Sequence, residues 1–354
     1  MEKKALIAMS GGVDSSVAAA FMKAQGYQCK GVTMHLHNAF AGEENTCCSS
    51  KDMEDAALVC AQLEMPYEIV DFRADFSEKV ISRFIHAYET GATPNPCIDC
   101  NRYLKFEQLF RYGVEHGFDY VVTGHYARIA KDEKTGRFLL KKAVDPTKDQ
   151  SYVLYALTQE QLEHACFPLG ELTKTEVRAL AERYSFINAE KADSQDICFV
   201  PDGDYAGFIE RFTGKTYPCG DFLDCQGKKL GTHKGLIRYT IGQRKGLGIA
   251  YSEPLYVCDK NVEQNTVTLG TNDALFTTTL IAKDINLISV PSLEEPMRVQ
   301  ARVRYHQPEQ WATAVQLDAD TLQITFDQPQ RAIAKGQAVV LYDGDVVVGG
   351  GTIQ

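Results

Sequence analysis

Three cysteines carry the first chemical signal of the sequence. Cys97 and Cys100 form a Cys-x-x-Cys inside TPNPCIDCN (residues 93–101), and Cys198 stands far downstream in DSQDICFV (residues 193–200). A thiolate is a sulfur nucleophile or sulfur carrier, and it is also a soft metal ligand. The cysteines therefore predict sulfur chemistry or a metal site, although a lone Cys such as Cys198 can also pack as a small hydrophobe.

A second signal is the heptad SGGVDSS (residues 10–16), which follows the apolar run KKALIAM (residues 3–9). Gly11 and Gly12 allow backbone N–H groups to approach an anion, and the serines add hydroxyl donors at the start of a helix. The spacing and the lysine of a Walker A loop are absent. The heptad predicts a loop that binds phosphates, with the Asp14 carboxylate as a candidate partner for a Mg²⁺ ion bound to them.

Alternating strands and helices must position these residues. Up to about residue 200, short apolar runs alternate with segments of helical period, which predicts an α/β fold with a doubly wound, mostly parallel sheet. Ligands of such sheets bind at the carboxyl ends of the strands. The predicted strands are 3–9, 29–36, 67–72 and 120–126, and the predicted helices are 15–26, 51–65, 76–91, 101–117 and 172–184.

From about residue 202 the pattern changes to short β-type runs separated by turn residues, which predicts small antiparallel β domains. We expect three domains, at residues 1–201, 202–275 and 276–354, with the last boundary between residues 272 and 280.

The composition limits the class of protein. The 354 residues, 44% of them hydrophobic, suffice for two or three domains. No apolar run is long enough to span a membrane and no leader is evident, so we expect a soluble, cytoplasmic protein without a membrane partner. In such a compartment, eleven cysteines are buried hydrophobes, metal ligands or catalytic thiols rather than a disulfide scaffold.

The charge pattern bears on nucleic acid binding. The net charge of −10 lowers that expectation, but residues 226–252 contain no Asp or Glu and six Lys or Arg residues. This stretch predicts a local phosphate-binding surface, although a basic loop can also be merely solvated. Arg102 and Lys105 follow the cysteine loop, where a nucleic acid phosphate could pass.

Further motifs follow along the chain: TPNPxxxCN, TGHYAR (123–128), KDQSYVLY (148–155), ICF, YTIGQRKGLGI (239–249), RVRYHQ (302–307), GQAVVLYDGD and GGGTI. The heptad resembles the PP-loop of ATP pyrophosphatases, and the whole set, from residue 5 to the last few residues, resembles the tRNA-uridine 2-sulfurtransferase family, MnmA/TrmU. The resemblance implies an adenine nucleotide α-hydrolase-like PP-loop domain, a small central tRNA-binding domain and a C-terminal antiparallel β-barrel. It also implies that ATP adenylates the 2-oxygen of the wobble uridine, position 34 of the anticodon. Sulfur then replaces this oxygen, with release of AMP and pyrophosphate.

The resemblance implies roles for individual residues. Cys100 falls on the position of the catalytic nucleophile and Cys198 on that of the persulfide carrier, and the two can form a transient disulfide. The ATP-site positions are Ala8, Met9, Ser10, Gly11, Gly12, Val13, Asp14, Ser15, Met34 and Gly124. The positions that meet the target base are Asn95, Pro96 and Cys97, and other tRNA-contacting positions are His125, Lys148, Asp149, Gln150, Arg304, Tyr305 and Gln337.

One departure from the family pattern leaves the sulfur chemistry open, because many members have Asp where this chain has Cys97. Three cysteines, Cys97, Cys100 and Cys198, suit a 4Fe-4S cluster whose open iron holds sulfide, and this alternative is as well supported as the persulfide. A zinc site would need a fourth ligand, which Cys47 or Cys48 could supply. Asp99 is a candidate for the acid/base role that Cys97 cannot fill.

The expected cofactors are ATP and Mg²⁺, with a 4Fe-4S cluster as the alternative noted above. The expected partners are the anticodon stem-loop of tRNA and a sulfur donor or relay protein, and we expect a monomer. Two other functions stay open. One is another PP-loop adenylating enzyme, acting at a different tRNA position or on a small molecule. The other is a non-catalytic RNA-binding protein that senses redox state or metal through its cysteines.

Overall fold

The computed structural model describes residues 3–37, 49–193 and 197–354, so Cys47 and Cys48 lie outside the described residues. In chain order the strands are β1 (Lys4–Ala8), β2 (Gln28–His35), β3 (Tyr67–Asp71), β4 (Tyr120–Val122), β5 (Ala127–Lys131), β6 (Phe138–Lys142), β7 (Ala165–Cys166), β8 (Gly220–Leu223), β9 (Lys229–His233), β10 (Tyr256–Asn261), β11 (Thr266–Gly270), β12 (Phe276–Leu287), β13 (Met297–Arg302), β14 (Gln310–Asp318), β15 (Thr321–Arg331), β16 (Ala338–Asp343) and β17 (Val346–Ile353).

The α-helices are α1 (Val13–Ala24), α2 (Ser50–Gln62), α3 (Arg73–Phe76), α4 (Ser82–Glu89), α5 (Pro96–Asp99), α6 (Leu109–Glu115), α7 (Ser151–Leu154), α8 (Gln159–His164), α9 (Lys174–Arg183) and α10 (Tyr205–Thr213). Two segments, Ser77–Ile81 and Cys100–Gln108, are π-helical, and two short 3-10 helices lie at Leu236–Arg238 and Asn272–Leu275.

The first half of the chain forms a parallel sheet in the order β3-β2-β1-β4-β7. Along β1, Ala5 and Ile7 pack into one hydrophobic core with helices α1, α2 and α9, whereas Leu6 packs into the core on the other face. Both faces are therefore covered, and the doubly wound sheet predicted from the sequence is confirmed. The chain leaves β1 towards β2 on one side and reaches β4 on the other, so the crevice where such sheets bind ligands opens at the ends of β1 and β4.

Several predicted helices are divided or displaced. The predicted helix 76–91 consists of α3, a π-helical turn and α4, and the one predicted at 101–117 already begins at Pro96. Asn95 caps this earlier start by accepting a hydrogen bond from the backbone N–H of Cys97, and proline is favourable in the first turn. Cys97 and Cys100 thus lie on a helix rather than in a loop.

The expectation of a purely β region beyond residue 202 was wrong in one place, because α10 lies there. Asp204 caps its first turn and Gly214, with φ +66°, ends it. Its apolar face, including Phe208 and Ile209, packs into the core of the first half. The short helix was masked in the sequence by the Gly- and Asp-rich residues around it.

The rest of the chain forms two β structures. A four-stranded sheet has the order β10-β11-β8-β9, and its β8–β11 pair is parallel, contrary to the antiparallel prediction. The long basic connection from β9 to β10 takes the chain from one edge of the sheet to the other, which lets β11 pair in parallel with β8. The last six strands close into an antiparallel barrel, because β12 pairs with both β15 and β17.

A hairpin from the first half joins the barrel. Strands β5 and β6 pair with each other, and Lys141 of β6 pairs with Val346 of β17. The eight-stranded sheet is therefore built from strands of both halves of the chain. Among the described residues, none of the helices is long and apolar enough to cross a membrane.

Candidate active site

The heptad SGGVDSS turns directly from β1 into α1. Gly12 is the N-cap of α1, and the hydroxyls of Ser15 and Ser16 donate to its carbonyl oxygen at 3.0 and 3.1 Å. A glycine N-cap has no side chain to accept the first amides of the helix, so these N–H groups point out for an anion. The loop thus has the form of a phosphate cradle.

At two positions of the site, the backbone of another segment lies so close that only glycine fits. Gly11 has φ +72°, and a Cβ there would overlap the carbonyl oxygen of Asp52. A Cβ on Gly124, at the end of β4, would lie 2.8 Å from the backbone of Asp14 and Ser15. The segment after β4 therefore rests directly on the phosphate loop.

The other predicted ATP-site residues line the same edge. Ala8 ends β1, and Met9 and Met34 are buried, with the hydroxyl of Thr33 donating to the carbonyl oxygen of Met9 at 2.8 Å. Because the side chains of Met9 and Met34 are buried, only their backbone groups are available to a nucleotide.

A charged cluster that the sequence did not reveal surrounds the loop. The Lys174 ammonium contacts both carboxylate oxygens of Asp14, at 2.8 and 2.9 Å, and Asp193 at 2.7 Å. The Tyr126 hydroxyl donates to Asp14 at 2.8 Å. Burial opposes ionisation of Asp193, but hydrogen bonds from Lys148 and Lys174 lower its pKa below the ordinary range. The sequence offered only a Thr-capped polar helix here, because the partners of Lys174 lie far along the chain.

Lys191 fixes the loop from the other side. Its ammonium donates to the carbonyl oxygen of Gly11 at 3.0 Å and pairs with Asp52 and Asp55 at 2.6 and 2.8 Å. Asn188 donates to the same carbonyl at 3.0 Å. The segment that leads towards Cys198 is thus attached to the phosphate loop at several points.

The three cysteines differ in their surroundings. Cys97 is exposed in the first turn of α5, whereas Cys100 and Cys198 are half-buried. Both half-buried cysteines pack against the same hydrophobic core, into which Phe199 inserts at 5.3 Å from the Phe84 ring. The structure therefore places Cys100 and Cys198 on one core, although they are far apart in sequence.

The cluster alternative finds no support in this arrangement. Within residues 3–37, 49–193 and 197–354, no group of three or more His, Cys, Asp or Glu side chains is placed to hold a metal ion. Cys97, Cys100 and Cys198 all lie in these ranges. As arranged here, they do not fit a three-cysteine iron–sulfur site.

Asp99, between the two cysteines of α5, is an ionisable group with an unusual environment. Burial raises the pKa of its carboxyl to about 6, although Arg83 lies 3.5 Å away and acts in the opposite direction. A carboxyl that titrates in this range can exchange protons near neutral pH, which suits the acid/base role expected for it.

His125 is buried, contrary to the simplest picture of a tRNA-contacting side chain. Its Nδ1 lies 2.7 Å from the Thr123 hydroxyl and its Nε2 lies 3.3 Å from the Lys105 ammonium. Burial, and secondarily the charge of Lys105, hold the pKa of His125 well below its ordinary value. The imidazole is therefore neutral and positions its neighbour.

The remaining residues expected at the tRNA make contacts within the chain. Asp149 is buried and accepts hydrogen bonds from the backbone of Ala143 and Ser151, and Gln150 accepts one from the backbone of Tyr126. Lys148 pairs with Asp193 at 2.8 Å. These three residues therefore make their contacts within the chain, and Lys148 joins the charged cluster beside the phosphate loop.

The barrel contributes three of the expected tRNA residues, and each forms an interdomain contact. The Arg304 guanidinium donates to the carbonyl oxygens of Ile241 and Ala332, and the Gln337 amide donates to that of Thr93 at 2.7 Å. The Tyr305 hydroxyl donates to the carbonyl oxygen of Asp149 at 3.2 Å.

Tyr305 also lies close to the cysteine helix. Burial raises the pKa of Tyr305 to about 12, with added contributions from Asp149 and Cys97. The barrel, the helix carrying Cys97 and the loop after β6 therefore meet at this side chain, and Asn95 and Pro96 begin the helix beside it.

The acid-free stretch 226–252 keeps much of its positive charge exposed. Lys229 pairs with Asp221 and Arg238 with Glu210. No carboxylate of the described chain lies within ion-pair distance of the other four cations, which are Lys228, Lys234, Arg244 and Lys245. These four exposed cations are available to an anionic partner.

Comparison with known families places this site in context. The models of the tRNA methyl transferase HUP domain, the tRNA methyl transferase PRC-barrel domain and the aminomethyltransferase beta-barrel domain match residues 3–202, 206–271 and 277–353. A crystal structure of a 4-thiouridine synthetase–RNA complex with bound ATP has 16% identity and a TM-score of 0.36, covering 60% of this chain and 50% of that one.

Several relatives match along the whole chain. The tRNA-specific 2-thiouridylase MnmA of Clostridioides difficile is 51% identical, covering 100% of this chain and 99% of the relative. That of Acetivibrio thermocellus is 48% identical with the same coverage. Because this identity extends over the full length and the three domain models match in order, the chain belongs to the family of tRNA-specific 2-thiouridylases.

Proposed function

We propose that this protein uses ATP to replace the 2-oxygen of the wobble uridine of tRNA, position 34 of the anticodon, with sulfur. One chain of contacts carries this proposal. Gly124 packs on the backbone of Asp14, the adjacent His125 contacts Lys105, and Lys105 lies one π-helical turn after Cys100. The phosphate loop and the cysteine helix are thus joined at one edge of the sheet, as coupled adenylation and sulfur transfer require.

The first step is adenylation of the uracil. The 2-oxygen attacks the α-phosphorus of ATP, the bond to the β-phosphate bridge breaks, and pyrophosphate leaves with the electron pair. The amides at the start of α1 would bind the phosphates, and Asp14 would hold Mg²⁺. Lys174 already lies beside Asp14, where its charge would also attract the pyrophosphate. Asp99 would accept the N3 proton of the uracil.

The second step exchanges oxygen for sulfur. A terminal persulfide sulfur on Cys198 attacks C2, and AMP leaves with the former 2-oxygen and the electron pair of the C2–O bond. The Cys100 thiolate then attacks the Sγ of Cys198. The S–S bond breaks, its electron pair stays on the uridine sulfur, and a Cys100–Cys198 disulfide forms. An external dithiol must reduce this disulfide before the next turnover.

The persulfide route is preferred here over the iron–sulfur alternative because the described cysteines do not form a three-ligand site. Their common core contact instead suits two thiols that act in sequence. The content of iron and acid-labile sulfide in anaerobically purified protein distinguishes the persulfide route from the iron–sulfur route directly. Cluster-level iron that disappears in Cys97→Ala, together with cluster-dependent activity, would exclude the persulfide route.

The basic stretch 226–252 supports the choice of tRNA as substrate. Its exposed cations can bind backbone phosphates, while the target base of a single-stranded anticodon loop turns into the pocket. In the same proposal the tRNA meets Asn95, Pro96 and Cys97, and it displaces some interdomain contacts of Arg304, Tyr305 and Gln337.

The proposal is tested by product analysis. Unmodified tRNA is incubated with the protein, ATP and Mg²⁺ and a persulfide donor, and its nucleosides are separated and identified by mass. We expect 2-thiouridine at position 34, with AMP and pyrophosphate in equal amounts. Sulfur at another position would indicate a different tRNA thiolase, and tRNA binding without pyrophosphate release would indicate a non-catalytic RNA-binding protein.

A further inference from the structure

Lys105 differs from the other cations around the cysteine helix. Arg102 pairs with Asp284, Arg83 with Asp99, and Lys79 with Glu107. Lys105, in contrast, has no carboxylate within ion-pair distance among the described residues, and its ammonium contacts the neutral imidazole of His125. A half-buried cation without a compensating charge is suited to bind an anion that arrives with the substrate.

The contact between Lys105 and His125 has a defined direction. An ammonium group can only donate, so Nε2 of His125 must accept. The ring proton then lies on Nδ1, which donates to the hydroxyl of Thr123 at 2.7 Å. The rings of Phe106 and Phe167 pack against the imidazole. His125 is thus a rigid, neutral acceptor that fixes the end of Lys105 without cancelling its charge.

The position of Lys105 identifies the anion. The residue preceding His125, Gly124, lies against the backbone of Asp14 and Ser15 at the phosphate loop. In the other direction, the hydrogen bonds of a π-helix join residues five apart, so Lys105 lies one turn after Cys100 on the same side of the helix. Through these contacts the ammonium of Lys105 links the segment that covers the phosphate loop to the helix that carries Cys100.

We infer that Lys105 is a catalytic residue that binds the α-phosphate of the nucleotide, and that His125 is its positioning residue. This inference rests on the proposed function and adds a group to its site. Arg102 lies five residues after Cys97, and Lys105 lies five residues after Cys100. Only Arg102 pairs with a carboxylate of the barrel, that of Asp284.

A cation at this point assists both steps. During adenylation the O2–P bond forms while the bond to pyrophosphate breaks, and charge accumulates on the α-phosphoryl oxygens. During thiolation the C2–S bond forms and the C2–O2 bond breaks, and the phosphate changes from the monoanion of a diester towards the dianion of AMP. Because negative charge grows in each transition state, the cation stabilises the transition state more than the bound substrate.

The decisive experiment compares Lys105→Met with wild type and with Lys79→Met, a matched control whose lysine is already paired with Glu107. Adenylation is followed as pyrophosphate release in a single turnover at saturating ATP and tRNA. We expect Lys105→Met to lower this rate by about 10²-fold, as loss of one oxyanion donor does elsewhere, and Lys79→Met to match wild type. Affinity for tRNA should change little, and Lys105→Arg should recover part of the rate.

Two results would overturn the inference. An unchanged single-turnover rate in Lys105→Met would show that Lys105 does not bind the α-phosphate. Weaker tRNA binding, with a salt dependence reduced by about one unit of slope and an unchanged rate at saturation, would assign Lys105 to a tRNA backbone phosphate instead. Both results leave the proposed function intact if the wild-type protein makes 2-thiouridine. If the wild-type protein makes no 2-thiouridine, the proposed function itself is refuted.

The positioning role of His125 has its own readout. His125→Gln keeps a hydrogen-bond acceptor for Lys105, whereas His125→Leu removes it. We expect the glutamine variant to retain most of the single-turnover rate and the leucine variant to lose about as much as Lys105→Met. Equal rates in two variants that both fold, as judged by thermal unfolding, would refute the positioning role.

Discussion

At the residue scale, two thiols in similar surroundings have different proposed tasks. In the proposed mechanism Cys198 carries the sulfur, and Cys100 releases it to the uridine by forming the disulfide. Both lie half-buried on one core, whereas Cys97 is exposed at the start of the helix. In the proposed function Cys97 meets the substrate and takes no part in the exchange, and its exposed position is compatible with this role.

The cysteine variants separate these tasks. Cys100→Ser and Cys198→Ala should each lower 2-thiouridine formation at least about 10³-fold, because a serine hydroxyl or a methyl group cannot perform thiol–disulfide exchange. The affinity for tRNA should stay within about twofold of wild type, since neither side chain is a cation that could bind a backbone phosphate. Nucleoside analysis and a tRNA-binding titration measure the two quantities, with Cys219→Ser as an exposed-cysteine control. Thiolation retained in either variant would contradict the mechanism.

Asp99 should set the acid limb of the pH–rate profile. If its carboxylate accepts the uracil proton, adenylation should rise with pH through about 6 and level off above it. Asp99→Asn should be slow and should lack this limb. The neutral His125 should contribute no inflection near its ordinary pKa. A wild-type profile that is flat between pH 5 and about 8 would exclude Asp99 as the base.

The same carboxyl affects stability with a defined sign. Because burial raises the pKa of Asp99, the native state binds more protons than the unfolded state between the ordinary value and about 6. The free energy of unfolding therefore falls as pH rises through this window, by at most about 3 kcal/mol for this group. Urea unfolding of Asp99→Asn should show less of this decline than wild type.

At the scale of elements, the phosphate loop is held by contacts on every side. Lys191 and Asn188 bind the carbonyl oxygen of Gly11, and α2 passes directly beneath it. The segment after β4 covers the other side of the phosphate loop at Gly124. The geometry of the loop is therefore a property of four segments packed together and not of the heptad alone.

Two glycines at the ends of α1 provide a matched test of this packing. Gly11→Ala and Gly26→Ala both place alanine at positive φ, +72° and +84°, which costs about 1–2 kcal/mol. A Cβ at Gly26 meets no atom within 4 Å, whereas one at Gly11 overlaps Asp52. Gly11→Ala should therefore destabilise the protein more than Gly26→Ala in urea unfolding, and it alone should weaken ATP binding by about tenfold or more. Equal effects of the two variants on ATP affinity would refute the packing argument.

The barrel is also an element of the site. Arg102 of the cysteine helix pairs with Asp284 of β12, and the turn at Gly336 and Gln337 docks on Ala92 and Thr93 before that helix. The β5–β6 hairpin extends the barrel sheet from the nucleotide side. The barrel thus fixes the orientation of the helix that carries Cys97 and Cys100.

At the scale of the whole molecule, an acidic protein presents a basic surface. The net charge is −10, yet Lys228, Lys234, Arg244 and Lys245 are exposed and unpaired within the described chain. If tRNA binds as proposed, the acidic remainder repels it from other faces and the charge distribution directs it to the basic stretch.

Salt dependence tests this surface. Replacing Lys228, Lys234, Arg244 and Lys245 by Gln should weaken tRNA binding and lower the slope of log K against log salt by about 0.7–0.9 for each lost phosphate contact. The control replaces Lys229 and Arg238, whose charges are already paired with Asp221 and Glu210, and it should change the slope less. A fourfold variant with the wild-type slope would show that this stretch is only solvated.

The sequence by itself determined what depends on near neighbours. The SGGVDSS heptad after an apolar run predicted the phosphate loop, the alternation of strands and helices predicted the doubly wound sheet, and the Thr before Lys174 predicted a helix start. These features follow from backbone conformation and from the spacing of apolar residues, which are local properties. The order of the motifs along the chain likewise pointed to the family.

Only the tertiary structure decided what depends on distant segments. Lys174 meets Asp14 across 160 positions, and the β5–β6 hairpin pairs with a strand at the far end of the chain. Burial by packed neighbours makes His125 neutral and raises the pKa of Asp99. Lys105 and Arg102 have the same sign of charge in the sequence, and only the position of Asp284 on the barrel distinguishes them. Charge compensation and desolvation arise when remote parts of the chain come together, so no local pattern encodes them.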